Sequence, residues 1–246
     1  MKIVFIGSGA IATAIGDVLA AKNCYDVVLI SIEDSVVDSV NSRHFNYDYF
    51  PYCRLSDSLR ASVDVEELSD ADVVFLAIPS TAVVDYVVKN QEYINQNALI
   101  VNLAKGFGND GKLIPECLME FLPNQLLSLK GPSFAREVIK RQETGLTAGS
   151  NSVESYNIVK ALFDDTCICT DFTDDVKGVE YSSILKNIYA IIVGIVDANF
   201  ESANLRSLVI SKAINEMLSL ITTFGGKQQT MFNYCGFGDF TLTALH

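Results

Sequence analysis

Apolar and polar positions alternate in blocks along the first two thirds of the chain, and these blocks predict strands and helices in turn. Continuous apolar runs bounded by turn residues, at 71–78 and 98–103, are typical of parallel strands covered on both faces. Further strands are predicted at residues 2–6, 26–32, 125–129, 144–148 and 167–171. Segments with helical spacing of apolar residues separate these runs, beginning with residues 11–22. We therefore predict a doubly wound, parallel α/β sheet.

The pattern changes near residue 175. From residue 179 onward the spacing of apolar residues is helical, and no further strand is predicted. Residues 179–199 and 205–223 are typical of two long helices, and Gly225 and Gly226 end the second one. The sequence thus predicts an α/β domain over residues 1–175 and an all-helical domain over residues 176–246.

Lys186 is the only charged residue between Glu180 and Asp197. A run this apolar predicts a helix buried on most sides, where an ammonium group is costly to keep protonated. Burial lowers the pKa of a lysine, which allows the side chain to give and take a proton near neutral pH. The alternative is a lysine whose stem packs while its ammonium group reaches water.

Composition narrows the function classes. The net charge of −12 and the lack of a Lys/Arg run argue against nucleic-acid binding but allow a small anionic substrate. Six cysteines lack the paired spacing of a zinc site, so we expect no metal and a cytoplasmic protein with reduced thiols. Cys167 and Cys169 are interpreted as two buried thiols on one face of a strand. No run of about 18 uncharged apolar residues occurs, so no membrane span is predicted.

The first strand runs directly into a turn that opens a helix. The turn has the G-x-G-x-x-A form of a Rossmann-type dinucleotide site, which binds pyrophosphate at the helix N-terminus; its residues are Gly7, Ser8, Gly9, Ala10, Ile11 and Ala12. The first glycine permits the tight turn, and the second glycine allows the pyrophosphate to approach the backbone. The alanine is small enough for the helix to pack closely against the strand. A purely structural turn is the alternative, but the position after the first strand favours a nucleotide site.

Ile32 and Glu33 follow the second strand. An acidic residue here accepts hydrogen bonds from the adenosine ribose of NAD and repels the additional phosphate of NADP. The nearest arginine in sequence is Arg43, so we expect NAD, with NADP as the alternative. In the competing interpretation, Glu33 and Asp34 begin a helix with charges that suit its dipole.

Further segments extend the pattern over the whole chain. Besides the nucleotide turn they are Asn-Ser-Arg-His-Phe-Asn at 41–46, Ala-Ile-Pro-Ser at 77–80, Ala-Lys-Gly at 104–106, Gly-Pro-Ser-Phe-Ala-Arg-Glu at 131–137, Leu-Lys-Asn at 185–187 and Gly-Phe-Gly-Asp-Phe-Thr-Leu-Thr at 236–243. In order and spacing they resemble the NAD(P)-dependent glycerol-3-phosphate dehydrogenase family. The resemblance implies an oxidoreductase that interconverts dihydroxyacetone phosphate and sn-glycerol 3-phosphate by hydride transfer with NAD(P)H, and a cytoplasmic homodimer that serves phospholipid biosynthesis.

The resemblance also implies roles for single residues. Lys186 matches the acid/base lysine of the family, and Lys105 and Asp239 match further residues of its catalytic centre. The residues implied to bind the small phosphorylated substrate are Lys105, Gly131, Ser133, Lys186, Asn187, Asp239 and Thr243. Those implied to bind the cofactor, besides residues 7–12, are Ile32, Glu33, Pro79, Lys105 and Ala135.

Elementary chemistry agrees with a lysine as the proton donor. Reduction of a ketone develops negative charge on the carbonyl oxygen, which requires a proton or a cation. His44 lies in a polar loop and His246 is the last residue, which leaves lysine. Lys105 follows a strand at the sheet edge where ligands bind, although it could be a solvated loop lysine. Asp239 either orients Lys186 or caps a helix, and Ser133 either contacts substrate or caps the turn at residues 131–133.

The chain also departs from the family pattern. Family members continue beyond Thr243 into a Ser-Arg-Asn element that binds the substrate phosphate and into further helices. We therefore expect the helical substrate domain over residues 176–246 to be truncated and to expose apolar surface. On this interpretation the chain binds NAD but turns over the phosphorylated substrate poorly.

Two other functions compete with this interpretation. A ketopantoate-reductase-like NAD(P)H-dependent reductase has a similar nucleotide turn, a lysine acid and a helical second domain. The segments at 131–135 and 239–243 count against it. A catalytically silent nucleotide-binding module is the third alternative, and the expected truncation makes it relevant.

Overall fold

The computed structural model describes residues 1–245, so His246 lies outside the described residues. Eight strands form one sheet in the order β3-β2-β1-β4-β5-β6-β7-β8. The strands are β1 (Lys2–Ile6), β2 (Asp26–Ile30), β3 (Leu59–Ser62), β4 (Val73–Leu76), β5 (Leu99–Asn102), β6 (Leu126–Lys130), β7 (Thr144–Gly149) and β8 (Ile168–Thr173). All neighbouring pairs within the described part of the chain are parallel except β6 and β7.

The α-helices alternate with the strands and then continue alone. They are α1 (Ala10–Ala20), α2 (Asp34–Arg43), α3 (Ser80–Asn90), α4 (Ile114–Leu118), α5 (Ala135–Val138), α6 (Val153–Phe163), α7 (Val176–Asn199), α8 (Ala203–Thr223) and α9 (Asp239–Leu245). The last strand ends at Thr173, and the Asp175 side chain caps α7 by accepting a hydrogen bond from the Gly178 N–H at 2.9 Å. The sheet therefore ends at Thr173, and helices alone follow from Val176 onward within the described residues.

Strand alternation explains why the strands are apolar throughout. In β1, Ile3 and Phe5 belong to the core on one face of the sheet, and Val4 and Ile6 belong to the core on the other. All four side chains are at most 1% exposed. Because helices cover both faces, each position of a central strand is buried, as a doubly wound α/β sheet requires. The predicted fold class is confirmed.

The expectation of a wholly parallel sheet was wrong at β7, which pairs antiparallel with β6. The connection between them, residues 131–143, contains as its helix only α5, which has four residues. A helix of that length rises about 6 Å, too little to return along β6 as a parallel crossover does. The sequence also did not predict β3, because its Leu-Arg-Ala-Ser run alternates and contains only two apolar residues.

Cys167 and Cys169 do not form the predicted pair of buried thiols. Cys167 is buried, whereas Cys169 is exposed. Cys167 lies just before β8 begins at Ile168, so the alternation of a strand does not place the two side chains on one face.

The helices after the sheet have a separate apolar core. It joins α7, α8 and α9 through buried residues that include Leu185, Val193, Met217 and Phe240. Helix α7 also contacts β6 and β7 of the sheet. One helix thus links the helical part of the chain to the centre of the α/β part.

Helix α7 is buried on nearly all sides from Gly178 to Lys186, but its second half has an exposed outer face. Ile188, Ile191 and Ile195 are each more than half exposed, so the prediction that it is buried on most sides was wrong for this outer face. By length and composition alone, α7 is also able to cross a membrane, since an 18-residue stretch of it is apolar and contains at most two charged residues. Half of this stretch is buried within the fold. Core helices of soluble proteins have the same properties.

Candidate active site

The turn after β1 has the geometry of a nucleotide-binding turn. Gly7 has a φ of 112°, in the region that favours glycine, and its N–H donates to the Ile30 carbonyl at 3.0 Å. A Cβ atom on Gly7 would lie 2.8 Å from the Ala77 carbonyl oxygen. The turn therefore packs against the end of β4 too closely for any side chain at this position.

The N-terminus of α1 is open toward the same side. Gly9 precedes the helix in extended conformation; within the described residues no side chain caps the helix, and its first turn has no acidic residue. A Cβ on Gly9 would meet only the Tyr49 hydroxyl, at 3.9 Å. Free N–H groups, a positive dipole end and open space in front of them suit a pyrophosphate. The open N-terminus of α1 therefore suits the pyrophosphate of a dinucleotide cofactor.

A buried asparagine holds this turn in place. The Asn46 amide is completely buried and donates hydrogen bonds to the Ser8 carbonyl and to the Thr13 hydroxyl, both at 2.9 Å. Asn46 lies in the loop after α2, so it ties that loop to the start of α1. Sequence reasoning missed this residue, although it closes the segment at 41–46 that carried part of the resemblance.

Two cavities adjoin the turn. One of about 310 Å³ lies beside the ends of β1 and β2, and its lining includes Gly7, Ser8, Gly9, Ile32, Glu33, Tyr49, Pro79 and Tyr86. The other, of about 260 Å³, lies beside β4 to β6, and its lining includes Ile11, Ala77, Leu103, Lys105, Ser133 and Leu146. Ala77 and Ile78 line both cavities. The pair can therefore accept the two halves of one extended ligand.

Ile32 and Glu33 form the outer rim of the first cavity. Ile32 is 91% exposed, and Glu33 is also exposed. The Glu33 N–H donates to the Ser31 hydroxyl at 3.1 Å, and the Ser8 hydroxyl donates to the same oxygen at 2.9 Å. Glu33 is also the residue that precedes α2, and Asp34 is in its first turn. The geometry is compatible with both interpretations of these acidic residues: that Glu33 contacts the ribose of NAD, and that Glu33 and Asp34 begin α2 with charges that suit its dipole.

Two lysines and one aspartate meet beside the second cavity. The Lys186 ammonium contacts one Asp239 carboxylate oxygen at 2.5 Å, and the Lys105 ammonium contacts the other at 2.9 Å. The Lys186 ammonium also donates to the Thr243 hydroxyl at 2.9 Å. Asp239 is 1% exposed and Lys186 5% exposed, whereas the Lys105 side chain is 27% exposed. The structure thus brings together four residues predicted from separate segments.

Burial and repulsion perturb the buried lysine. Burial is the largest cause that lowers the pKa of Lys186, and repulsion from Lys105 lowers it further. The attraction of Asp239 opposes both effects, and the resulting pKa is about 8, compared with an ordinary value of 10.5. A lysine with such a pKa exists in both protonation states near neutral pH, as an acid/base group requires. The alternative of a snorkelling ammonium group is wrong for Lys186.

The Gly-Pro-Ser turn forms the floor of this cluster. The Gly131 carbonyl accepts hydrogen bonds from the Lys105 ammonium and from the Ser133 hydroxyl, both at 3.1 Å. A Cβ on Gly131 would lie 2.3 Å from the Gly145 carbonyl oxygen, so β7 requires glycine there. Ala135 opens α5 and packs, half-buried, against the core beneath α1. Asn187 is exposed, so its predicted role in substrate binding stays a prediction.

Sequence reasoning also missed a buried charged pair under the cluster. Lys130, at the end of β6, and Glu180, in α7, are completely buried, and their charged atoms lie 3.3 Å apart. The available signal was a lysine that ends an apolar strand directly before Gly131. Among the residues that the structure describes, no group of three or more potential metal ligands occurs.

Comparison with known proteins points to one family over the whole chain. The family models described as the NAD-dependent glycerol-3-phosphate dehydrogenase N-terminus and C-terminus match residues 2–156 and 175–246. The protein from Leptospira biflexa named glycerol-3-phosphate dehydrogenase (NAD(P)+) is 34% identical over 99% of this chain and 74% of its own length; one from Myxococcus xanthus is 36% identical over 97% and 72%. The crystal structure of glycerol-3-phosphate dehydrogenase from Coxiella burnetii matches with a TM-score of 0.92 and 28% identity, over 99% of this chain and 75% of that chain.

Proposed function

The chain belongs to the NAD-dependent glycerol-3-phosphate dehydrogenase family, and from this premise we propose that Lys186 exchanges the proton when dihydroxyacetone phosphate and sn-glycerol 3-phosphate are interconverted. The chain is accordingly an NAD(P)-dependent oxidoreductase. The observation that carries the proposed role is the buried contact of Lys186 and Lys105 with opposite oxygens of Asp239. This cluster adjoins the cavity that Lys105 and Ser133 line.

Lys186, Lys105 and Asp239 have different roles in proton transfer. A bound nicotinamide dinucleotide supplies or accepts the hydride. Lys186 donates its proton to the carbonyl oxygen as negative charge develops there, and takes it back in the oxidation of the alcohol. Asp239 fixes the direction of the ammonium group, and Lys105 contributes a second positive charge that favours the oxyanion. Ser133 and Thr243 present hydroxyl groups at the same centre.

The nucleotide turn and the rim residues form the cofactor site in this proposal. Residues 7–12 would hold the pyrophosphate, Ile32 would contact the adenine, and Glu33 would accept hydrogen bonds from the ribose. Pro79, Lys105 and Ala135 would complete the site toward the nicotinamide. The exposed Glu33 carboxylate at the cavity rim favours NAD over NADP, because the additional phosphate would meet a like charge.

Replacing Glu33 with glutamine tests this preference. We expect the Kd ratio of NADPH to NADH to fall about tenfold, because the substitution removes the repulsion of the phosphate but keeps the shape of the side chain. The ratio is measured by fluorescence titration of both nucleotides. Asp34→Asn, which removes a neighbouring charge in the first turn of α2, is the matched control and should leave the ratio unchanged. An equal effect of both substitutions would contradict the assignment.

The pKa of Lys186 predicts opposite pH dependence in the two directions. Reduction of dihydroxyacetone phosphate requires protonated Lys186, so its kcat/KM, which reports the free enzyme, should fall as the pH rises through about 8. Oxidation of glycerol 3-phosphate requires neutral Lys186, so its kcat/KM should rise through the same value. Initial rates at substrate concentrations well below KM, measured in both directions across this range, check the prediction. Parallel changes in the two directions would exclude one group acting as both acid and base.

A comparison of oxidants tests the function itself. With NADH as reductant, we expect oxidation to depend on dihydroxyacetone phosphate and to exceed that with ketopantoate by at least about tenfold. A preference for ketopantoate would overturn the proposed substrate. NADH binding without turnover of either compound would support a silent nucleotide-binding module. The measured rate also tests the expectation of poor turnover.

Further properties are proposed on the same basis. The chain divides into a dinucleotide-binding Rossmann-like domain over residues 1–175 and a helical substrate domain over residues 176–246. The exposed apolar face of α7, with Ile188, Ile191 and Ile195, supports a homodimer. Reduced cysteines and a small phosphorylated substrate support a cytoplasmic location.

A further inference from the structure

Two completely buried charges lie beneath the cluster without touching it. The ammonium of Lys130 and the carboxylate of Glu180 are 3.3 Å apart, and both side chains are 0% exposed. Burying such a pair costs desolvation that the mutual attraction barely offsets, so an apolar pair of similar volume is often as stable or more stable. Stability therefore does not account for these charges, and their other contacts indicate what they do.

Lys130 holds the turn that leads to Lys105. Its ammonium donates hydrogen bonds to the backbone carbonyls of Asn102, at 3.0 Å, and of Ala104. The Asn102 side chain closes the same turn by accepting from the Ala104 N–H at 3.0 Å. The residue after Ala104 is Lys105, so one buried cation fixes the backbone from which Lys105 extends.

Glu180 holds the helix that carries Lys186. One of its carboxylate oxygens accepts hydrogen bonds from the Asn102 amide, at 3.0 Å, and from the Ser128 hydroxyl. Glu180 lies in α7, less than two helical turns before Lys186. The carboxylate therefore connects α7 to the end of β5 and to the middle of β6, and its ion pair with Lys130 connects α7 to the turn that precedes Lys105.

We propose that Lys130 and Glu180 are positioning residues that fix the Lys105 turn against α7 at the spacing at which Lys105 and Lys186 share Asp239. The proposal rests on the proposed function, which gives those two lysines their roles. Lys105 and Lys186 contact opposite oxygens of one carboxylate at 2.9 and 2.5 Å, so a small displacement of the turn from the helix breaks one contact. Misplacement of a reacting group by about 1 Å costs on the order of a hundredfold in rate.

The double variant Lys130→Met/Glu180→Gln tests the proposal. It removes both buried charges, keeps the side-chain volumes and leaves the net charge unchanged, so neither partner is left uncompensated. Titration of Lys186 is followed by carbon-13 NMR of the lysine Cε atoms, with the Lys186 signal assigned from Lys186→Met. In wild type the midpoint should lie near the pKa of about 8. In the variant it should move upward, because a displaced Lys105 repels Lys186 less.

The single variant Glu180→Gln separates the effect of charge from that of geometry, because a glutamine oxygen can still accept both hydrogen bonds; it leaves Lys130 without its counter-charge, so the double variant is the more stable of the two. Loss of the negative charge alone would lower the pKa of Lys186. An upward move therefore reports a change in geometry, which a purely structural role would not cause. The control is Lys177→Met/Glu116→Gln, at a partly exposed pair 3.3 Å apart that also joins α7 to the α/β part; it should leave the midpoint unchanged.

Kinetics complete the test. We expect kcat for dihydroxyacetone phosphate reduction to fall about tenfold to a hundredfold in the double variant. The Kd of NADH should change much less than kcat, because the nucleotide turn lies between β1 and α1 and Lys105 is the only proposed cofactor-binding residue on the displaced turn. An unchanged Lys186 midpoint in both variants, with kcat within twofold of wild type in those that fold, would overturn the proposal. If wild type shows no turnover, the proposed function fails, and the NMR midpoints still decide the positioning role.

Discussion

Replacement of Lys186 with alanine is expected to lower kcat for dihydroxyacetone phosphate reduction about a thousandfold. The substitution removes the group proposed to donate the proton, and general acid catalysis by a positioned side chain typically contributes a hundredfold to ten thousandfold. The Kd of NADH should change little, because Lys186 lies in α7 and the nucleotide turn lies between β1 and α1. Steady-state rates and fluorescence titration of NADH measure the two quantities on the same preparation.

Lys212→Ala is the matched control for this experiment. Lys212 is an exposed lysine in α8, so its replacement makes the same change of charge and side chain outside the proposed site. Its kcat should stay within about twofold of wild type, since a surface substitution rarely matters. A Lys186→Ala enzyme with more than about a tenth of wild-type kcat would exclude Lys186 as the acid/base.

Asp239→Asn is expected to have the largest effect on stability. The substitution leaves the ammonium groups of Lys105 and Lys186 facing one uncharged amide, and removal of one partner from a buried ion pair costs about 3 to 5 kcal/mol. The free energy of unfolding is measured by urea denaturation. Asp197→Asn, which breaks an exposed ion pair with Arg206, is the control and should cost about 1 kcal/mol or less.

The destabilisation should also depend on pH with a definite sign. The pKa of Lys186 is about 8 in the folded protein and 10.5 is its ordinary value, so the unfolded chain binds more protons between these values. Stability contributed by this group therefore rises with pH in that range. Loss of Asp239 lowers the pKa of Lys186 in the folded protein further. In the variant the free energy of unfolding therefore begins to rise at a lower pH. We therefore expect the difference between wild type and variant to be greatest well below pH 8, to narrow as the pH rises toward about 8, and to stay constant above it; a small, pH-independent difference would contradict this account.

The local parts of the site could be predicted from the sequence because each rests on short-range rules. The turn at residues 7–12 follows from its glycines and its place after a strand. Lys105 follows from its position at the end of a strand, at the edge of the sheet where ligands bind. Lys186 follows from being the only charge in an apolar helix. None of these rules requires knowledge of distant contacts.

The contacts between these parts could not be predicted in the same way. Asp239 meets Lys105 across 134 residues, and only the family resemblance, not a local pattern, connected the two segments. The pair of Lys130 and Glu180 gave only a weak signal, a lysine that ends an apolar strand, because a lysine at a strand end is ordinarily solvated. The antiparallel β7 depends on the length of α5, which composition does not reveal. Long-range packing decides such features, whereas local propensity does not.

The central claim is that the Lys186 side chain exchanges a proton with the substrate, and amine rescue of Lys186→Ala tests it most directly. Small primary amines can enter the space left beside Asp239 and take over the proton transfer. We predict that kcat for dihydroxyacetone phosphate reduction rises with amine concentration and varies with the pKa of the protonated amine, with little rescue of Asp239→Asn under the same conditions. A Lys186→Ala enzyme that binds NADH normally but shows no dependence on added amine would contradict the claim.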